Sequence, residues 1–115
     1  MITREQIMRA NSIYNGILYD TGYEPMTTFW NDFEIAERFG IKAIKDTFKT
    51  VFKNWKNSYK YLTELVLVLN WKIWGYYETN EEVADVYNEL WKQAQDYAFD
   101  NLTEEELNYF IRTTD

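Results

Sequence analysis

Apolar residues fall at helical spacing along most of the chain. From Ile41 they recur at Ile44, Phe48, Val51, Phe52, Trp55 and Tyr59, three and four residues apart, which predicts the buried face of a helix. Val83, Val86, Tyr87, Leu90, Trp91, Ala94, Tyr97 and Ala98 form the cleanest amphipathic pattern and predict a helix from Glu81 to about Asp100. Between these lies KYLTELVLVLNWKIWGYY, residues 60–77, apolar nearly all round. Leu65 to Leu69 alone would suit a buried strand. The stretch is too long for one and no partner strand shows elsewhere, so it reads as a central buried helix that Gly75 loosens at its end. Asn70 within it reads as a core polar group that finds its partners. Leu107, Phe110 and Ile111 predict a short last helix over Glu104 to Ile111.

Capping chemistry marks where helices begin. Thr3 with Gln6, Asn31 with Glu34, Thr79 with Glu82 and Thr103 with Glu106 stand at N-cap and N3 spacing. All but the Thr79 pair are flanked by apolar residues placed as a hydrophobic staple. They predict a first helix from Arg4 to Tyr14, stopped by Asn15-Gly16, and a short helix over 32–39 ended by Gly40 as a left-handed cap. Asn15-Gly16 is also a hairpin signal, so a small β-hairpin near 13–19 stands as the alternative. Residues 20–28, with Gly22 and the only proline, Pro25, read as a connecting loop. Asn57-Ser58 either breaks the helix begun at Ile41 or weakens it. The predicted fold class is all-α: a single compact bundle of five or six helices around the central apolar helix 60–77, one domain over 1–115. Were Met26 an internal translation start, residues 1–25 would be an N-terminal appendage.

Composition narrows the chemistry more than the fold. Among 115 residues there is no histidine and no cysteine. Disulfide frameworks, thiol nucleophiles, Cys/His zinc sites and His-dependent triads are excluded. Four scattered glycines provide no phosphate-binding loop. Seven Phe, ten Tyr and five Trp argue against disorder. Trp55, Trp71, Trp74 and Trp91 are expected mostly in the core, whereas Tyr59, Tyr61, Tyr76 and Tyr77 crowd the ends of the central helix and read as an interface. No signal-peptide pattern and no membrane-length apolar run is present, so a soluble, cytoplasmic protein without membrane contact is expected.

The net charge of −7 conceals a segregation. Residues 41–60 hold six lysines and one acid, whereas residues 78–115 hold eleven acids against Lys92 and Arg112. Lys42, Lys45, Lys49, Lys53, Lys56 and Lys60 form a single stripe on a helix over 41–60, about 27 Å long. That stripe is either a solvated face or a groove for nucleic acid or for an acidic partner. Glu82, Asp85, Glu89, Asp96 and Asp100 cluster on the outward side of their helix, one-turn neighbours lying roughly 5–6 Å apart. This is comparable with the charge spacing of a nucleic-acid strand, so the acidic face is the candidate partner-binding site. The two faces can instead meet within the fold.

Carboxylates are the only remaining catalytic option. Asp32 with Glu34, Asp85 with Glu89, and Asp96 with Asp100 lie near caps or on outward faces, where solvation is the simpler role. No catalytic residue, metal site or cofactor is predicted. Residues 32–41, DFEIAERFGI, match the first helix and turn of a helix-turn-helix, which would place Lys42 and Lys45 at an exposed helix start. The second half departs from that motif, with Asp46 and Lys49 where apolar residues belong.

FWNDFEIAERFGIKAIKDTF (29–48), YLTELVLVLNWKIW (61–74), YNELW (87–91) and the ending RTTD (112–115) resemble a group of small, acidic helical proteins carried by phages and mobile elements of Gram-positive gut bacteria. The resemblance spans residues 26–115 and supplies no catalytic residue. It implies an accessory protein that acts on a host or competitor system, and small acidic proteins of such origin include anti-CRISPR and anti-restriction inhibitors. The leading expectation is a non-enzymatic protein-binding inhibitor of a host nucleic-acid-handling enzyme, a DNA mimic acting through its acidic face. A DNA-binding accessory factor using residues 32–60 is the alternative, and a homo-oligomer is compatible with either.

Overall fold

The computed structural model describes residues 25–114, with side chains from Phe29 onward. The regular structure among the described residues is all helical: α1 (Pro25–Glu37), α2 (Ile41–Trp55), α3 (Tyr59–Tyr76), α4 (Glu81–Asn101) and α5 (Glu104–Thr114). No strand occurs among them. The first helix, hairpin alternative and Thr3–Gln6 box lie outside the described residues.

α1 begins earlier than its capping box indicates. Asn31 and Glu34 lie inside the helix, and residues 25–28 are its first turn rather than loop. Proline suits such a start, because its missing N–H has no intrahelical acceptor there anyway. Starting at Pro25 also gathers Phe29, Trp30, Phe33 and Ala36 onto one buried stripe. The helix stops at Gly40, whose φ of 108° is open to glycine alone. Gly40 N–H donates to the Ala36 carbonyl at 3.2 Å while its own carbonyl accepts from Ile44 N–H at 3.2 Å. One residue thus closes α1 and opens α2.

Asn57-Ser58 breaks the chain into two helices. Lys56 N–H still donates to the Phe52 carbonyl at 2.8 Å, but Ser58 turns extended and its hydroxyl accepts from Tyr61 N–H at 3.4 Å. α3 therefore starts at Tyr59, and Lys60 belongs to it rather than to α2. Every residue from Leu62 to Leu69 is buried. Eight consecutive positions exceed two turns, so this part of α3 is enclosed on all sides. α3 packs against each of the other four helices.

Asn80, not Thr79, caps α4. Its side-chain carbonyl accepts from Val83 N–H at 3.3 Å, while the Thr79 hydroxyl donates back to the Gly75 carbonyl at 3.4 Å. The Thr103–Glu106 box forms reciprocally, at 3.0 and 3.3 Å.

Core filling differs from expectation at the tryptophans. Trp55 and Trp71 are each 38% exposed, Trp74 is 69% exposed, and Trp91 is half-buried. Phe29, Phe33, Phe48, Tyr87 and Phe110 hold the interior instead, and the buried indole is Trp30. Trp71 and Trp74 follow the enclosed part of α3, where surrounding helices no longer cover every face. Asn70 likewise is only half-buried, and the buried polar residues are Thr63, Glu64 and Lys72. Ile111, expected inward, is 39% exposed.

Candidate functional site

A buried polar network joins the end of α1 to α3 and α4. Lys72 occupies the α3 face turned toward α1, and its ammonium lies 2.9 Å from the Glu37 carboxylate. The Lys72 side chain is 4% exposed and that of Glu37 is 13% exposed. Tyr76, one turn beyond Lys72, donates its hydroxyl to Glu37 Oε1 at 2.8 Å. Tyr87, from α4, donates to Oε2 at 2.5 Å. The same ammonium stands 3.8 Å from the centroid of the Trp30 ring, a cation–π contact made stronger by exclusion of water. Both carboxylate oxygens and the charge of Lys72 are thereby satisfied, which a buried pair requires.

The network shifts the chemistry of its members. Burial pushes Lys72 below its ordinary value, opposed by the charges of Glu37 and Glu34 and the bond to Glu37. Burial likewise drives Tyr76 and Tyr87 upward, with the negative charge and hydrogen bonding of Glu37 adding to it. These groups are locked together rather than poised to react: the Lys72 amine is shielded and the phenols hold their protons.

The five acids of the predicted binding face, Glu82, Asp85, Glu89, Asp96 and Asp100, are all exposed on α4. At about 100° per residue they fall within one arc of roughly 60°, forming a row about 27 Å long. Among the described residues none of them makes an ion pair. Lys42, Lys45, Lys49 and Lys53 are exposed on α2, where Lys42 pairs with Asp46 at 3.0 Å. Lys56 is half-buried, its ammonium 5.5 Å from the Tyr97 ring centroid and 5.8 Å from that of Phe52. Lys60 stands apart on α3, so the single six-lysine stripe becomes four residues on α2, Lys56 at its C-cap and one on the next helix.

The other candidates stay apart. Asp46 and Lys49 are exposed, as the departure from a helix-turn-helix pattern requires. Among the described residues no group of three or more His, Cys, Asp or Glu is arranged to hold a metal ion. Nor is any described helix long and apolar enough to cross a membrane. A cleft beside Glu37 and Tyr76 reaches Ile41, Glu82 and Val83, so the buried network opens at the start of the acidic row.

Sequence reasoning overlooked Glu37, Lys72, Tyr76 and Tyr87 as a unit. One signal was present: Lys72 is the sole basic residue between Tyr61 and Tyr77, set between Trp71 and Ile73. A charge in an apolar helix demands a counter-ion. Comparison with known proteins finds no family model, curated protein or solved structure that matches this chain.

Proposed function

We propose that this protein is a non-enzymatic binding protein whose acidic row on α4 engages a basic surface of a nucleic-acid-handling protein in the position of nucleic acid. The observation that carries this reading is that Glu82, Asp85, Glu89, Asp96 and Asp100 are exposed together and make no ion pair among the described residues, although a lysine row runs on the neighbouring helix. Unpaired carboxylates at intervals of one or two turns keep their field available to a cationic partner. The bundle, organised about α3 as its central apolar helix, serves as the rigid support that fixes their spacing. In keeping with the resemblance to accessory proteins of phages and mobile elements, the partner in this reading is a host defence or DNA-processing enzyme.

The test is capture of partner proteins from a Gram-positive host extract by the full chain and by the Asp85→Lys, Glu89→Lys, Asp96→Lys triple variant. Captured proteins should be nucleic-acid-binding, should be released by competing duplex DNA, and should be lost with the variant while its helical content is unchanged. An identical set bound by both chains overturns the acidic-face reading. Direct, salt-sensitive DNA binding that disappears with Lys42→Ala, Lys45→Ala and Lys49→Ala would establish the alternative based on residues 32–60.

A further inference from the structure

α2 and α4 lie side by side and point the same way. Their starts meet at the cleft that Ile41 shares with Glu82 and Val83. Near their ends Phe52 stands edge-on to Tyr97 at 5.2 Å, and the Tyr97 hydroxyl donates to Asn57 at 3.2 Å. Residues that meet across the seam are therefore forty to forty-five apart in sequence. The charged rows repeat at the low end of that interval: adding forty to Lys42, Lys45, Lys49, Lys53 and Lys56 gives Glu82, Asp85, Glu89, Gln93 and Asp96.

Both rows also lean toward the seam. With about 100° per residue, the lysine arc of α2 borders Phe52, which faces α4, and the acidic arc of α4 borders the Tyr97 side, which faces α2. Yet among the described residues no lysine comes within 4.0 Å of an acid across it; the one pair in the rows, Lys42 with Asp46, lies within α2. The face thus presents a positive strip beside a negative strip, matched in order and spacing and not consumed by each other.

We propose that this face is the interface of a homodimer. A two-fold axis parallel to the seam lays α2 of one copy over α4 of the other. Lys45 then meets Asp85 of the second copy, Lys49 meets Glu89, and symmetry makes each pair twice. An axis across the seam would set lysine on lysine, so charge order selects the first arrangement. Only a body carrying both signs in this order satisfies the two rows together, and a second copy is such a body. Two helices roughly 10 Å apart cover an area of about 500 Å² per copy, at the low end for specific association. The dimer is accordingly weak and governed by salt. This inference does not rest on the partner reading; a basic partner takes the acidic row only by displacing the second copy.

Sedimentation velocity of the full chain over a wide concentration range tests it without any partner present. At low ionic strength the expected result is a monomer–dimer equilibrium whose dissociation constant rises at least about tenfold at high salt. Lys45→Glu with Lys49→Glu should give a monomer, as should Asp85→Lys with Glu89→Lys. An equimolar mixture of these two variants should regain the dimer, because every reversed pair is again complementary. All four positions are exposed, and circular dichroism verifies that the variants remain folded. A wild type that is monomeric throughout, a dimer indifferent to salt, or variants that stay monomeric on mixing overturns the proposal.

Discussion

Replacing Glu37 by glutamine removes one charge from the buried network while keeping the volume of the side chain. The Lys72 ammonium, 4% exposed, then loses the counter-charge 2.9 Å away. Two phenols lose an ionised acceptor, since Tyr76 and Tyr87 both donate to Glu37. Removing one member of a buried pair costs about 3–5 kcal/mol, mostly from the charge left behind. A chain of 115 residues has a total stability of roughly 6–17 kcal/mol, so the loss is a large fraction of it. Urea unfolding followed by far-ultraviolet circular dichroism should show a lower midpoint with unchanged slope. The double variant Glu37→Gln, Lys72→Met removes both charges. It should be destabilised by less than the sum of the two single changes, with a coupling on the order of 2 kcal/mol. A pH series supplies a second readout. Lys72, already depressed by burial, falls further in Glu37→Gln. The unfolded chain then binds the additional proton, so the deficit of the variant should narrow as pH rises from neutrality toward about 9. A Glu37→Gln variant within about 1 kcal/mol of wild type, or single changes that simply add, would refute the network as a coupled unit.

The phenols of Tyr76 and Tyr87 are pushed above the ordinary value of 10.0 by burial and by Glu37. Their contribution is complete below about pH 10 and is lost as the pH climbs toward their folded values. Spectrophotometric titration should leave two tyrosines un-ionised until the helices melt; ionisation of every tyrosine near pH 10 in folded protein would contradict this. At Gly40 the backbone holds φ 108° and ψ −176°, a region essentially confined to glycine. A Cβ there meets nothing within 4 Å, so Gly40→Ala isolates the conformational cost. It should lower stability by about 1–3 kcal/mol in urea unfolding, and a neutral or stabilised variant would show that the turn readily relaxes.

The sequence by itself determined the features that depend on spacing along one helix. The apolar positions of α2 and α4 were legible because a buried face repeats every three or four residues whatever lies against it. The Thr103–Glu106 cap was legible because both partners sit within one turn, as was the positive-φ stop at Gly40, which only glycine tolerates. The acidic row followed from the same periodicity. Tertiary structure decided whatever needed two helices. Glu37 and Lys72 are thirty-five residues apart, and nothing local says which face of α3 turns toward the end of α1. α1 starts at Pro25 rather than at its apparent cap because burying Phe29 and Trp30 against α2 and α3 outweighs a side-chain hydrogen bond. Trp74 is exposed and Trp30 buried for a related reason: periodicity identifies an apolar residue, but neighbouring helices determine whether anything covers it. The segregation of charge was visible at once in the sequence. That the lysine and acidic rows run level along one seam became visible only when α2 and α4 were laid side by side, since helix adjacency is set by packing and not by charge.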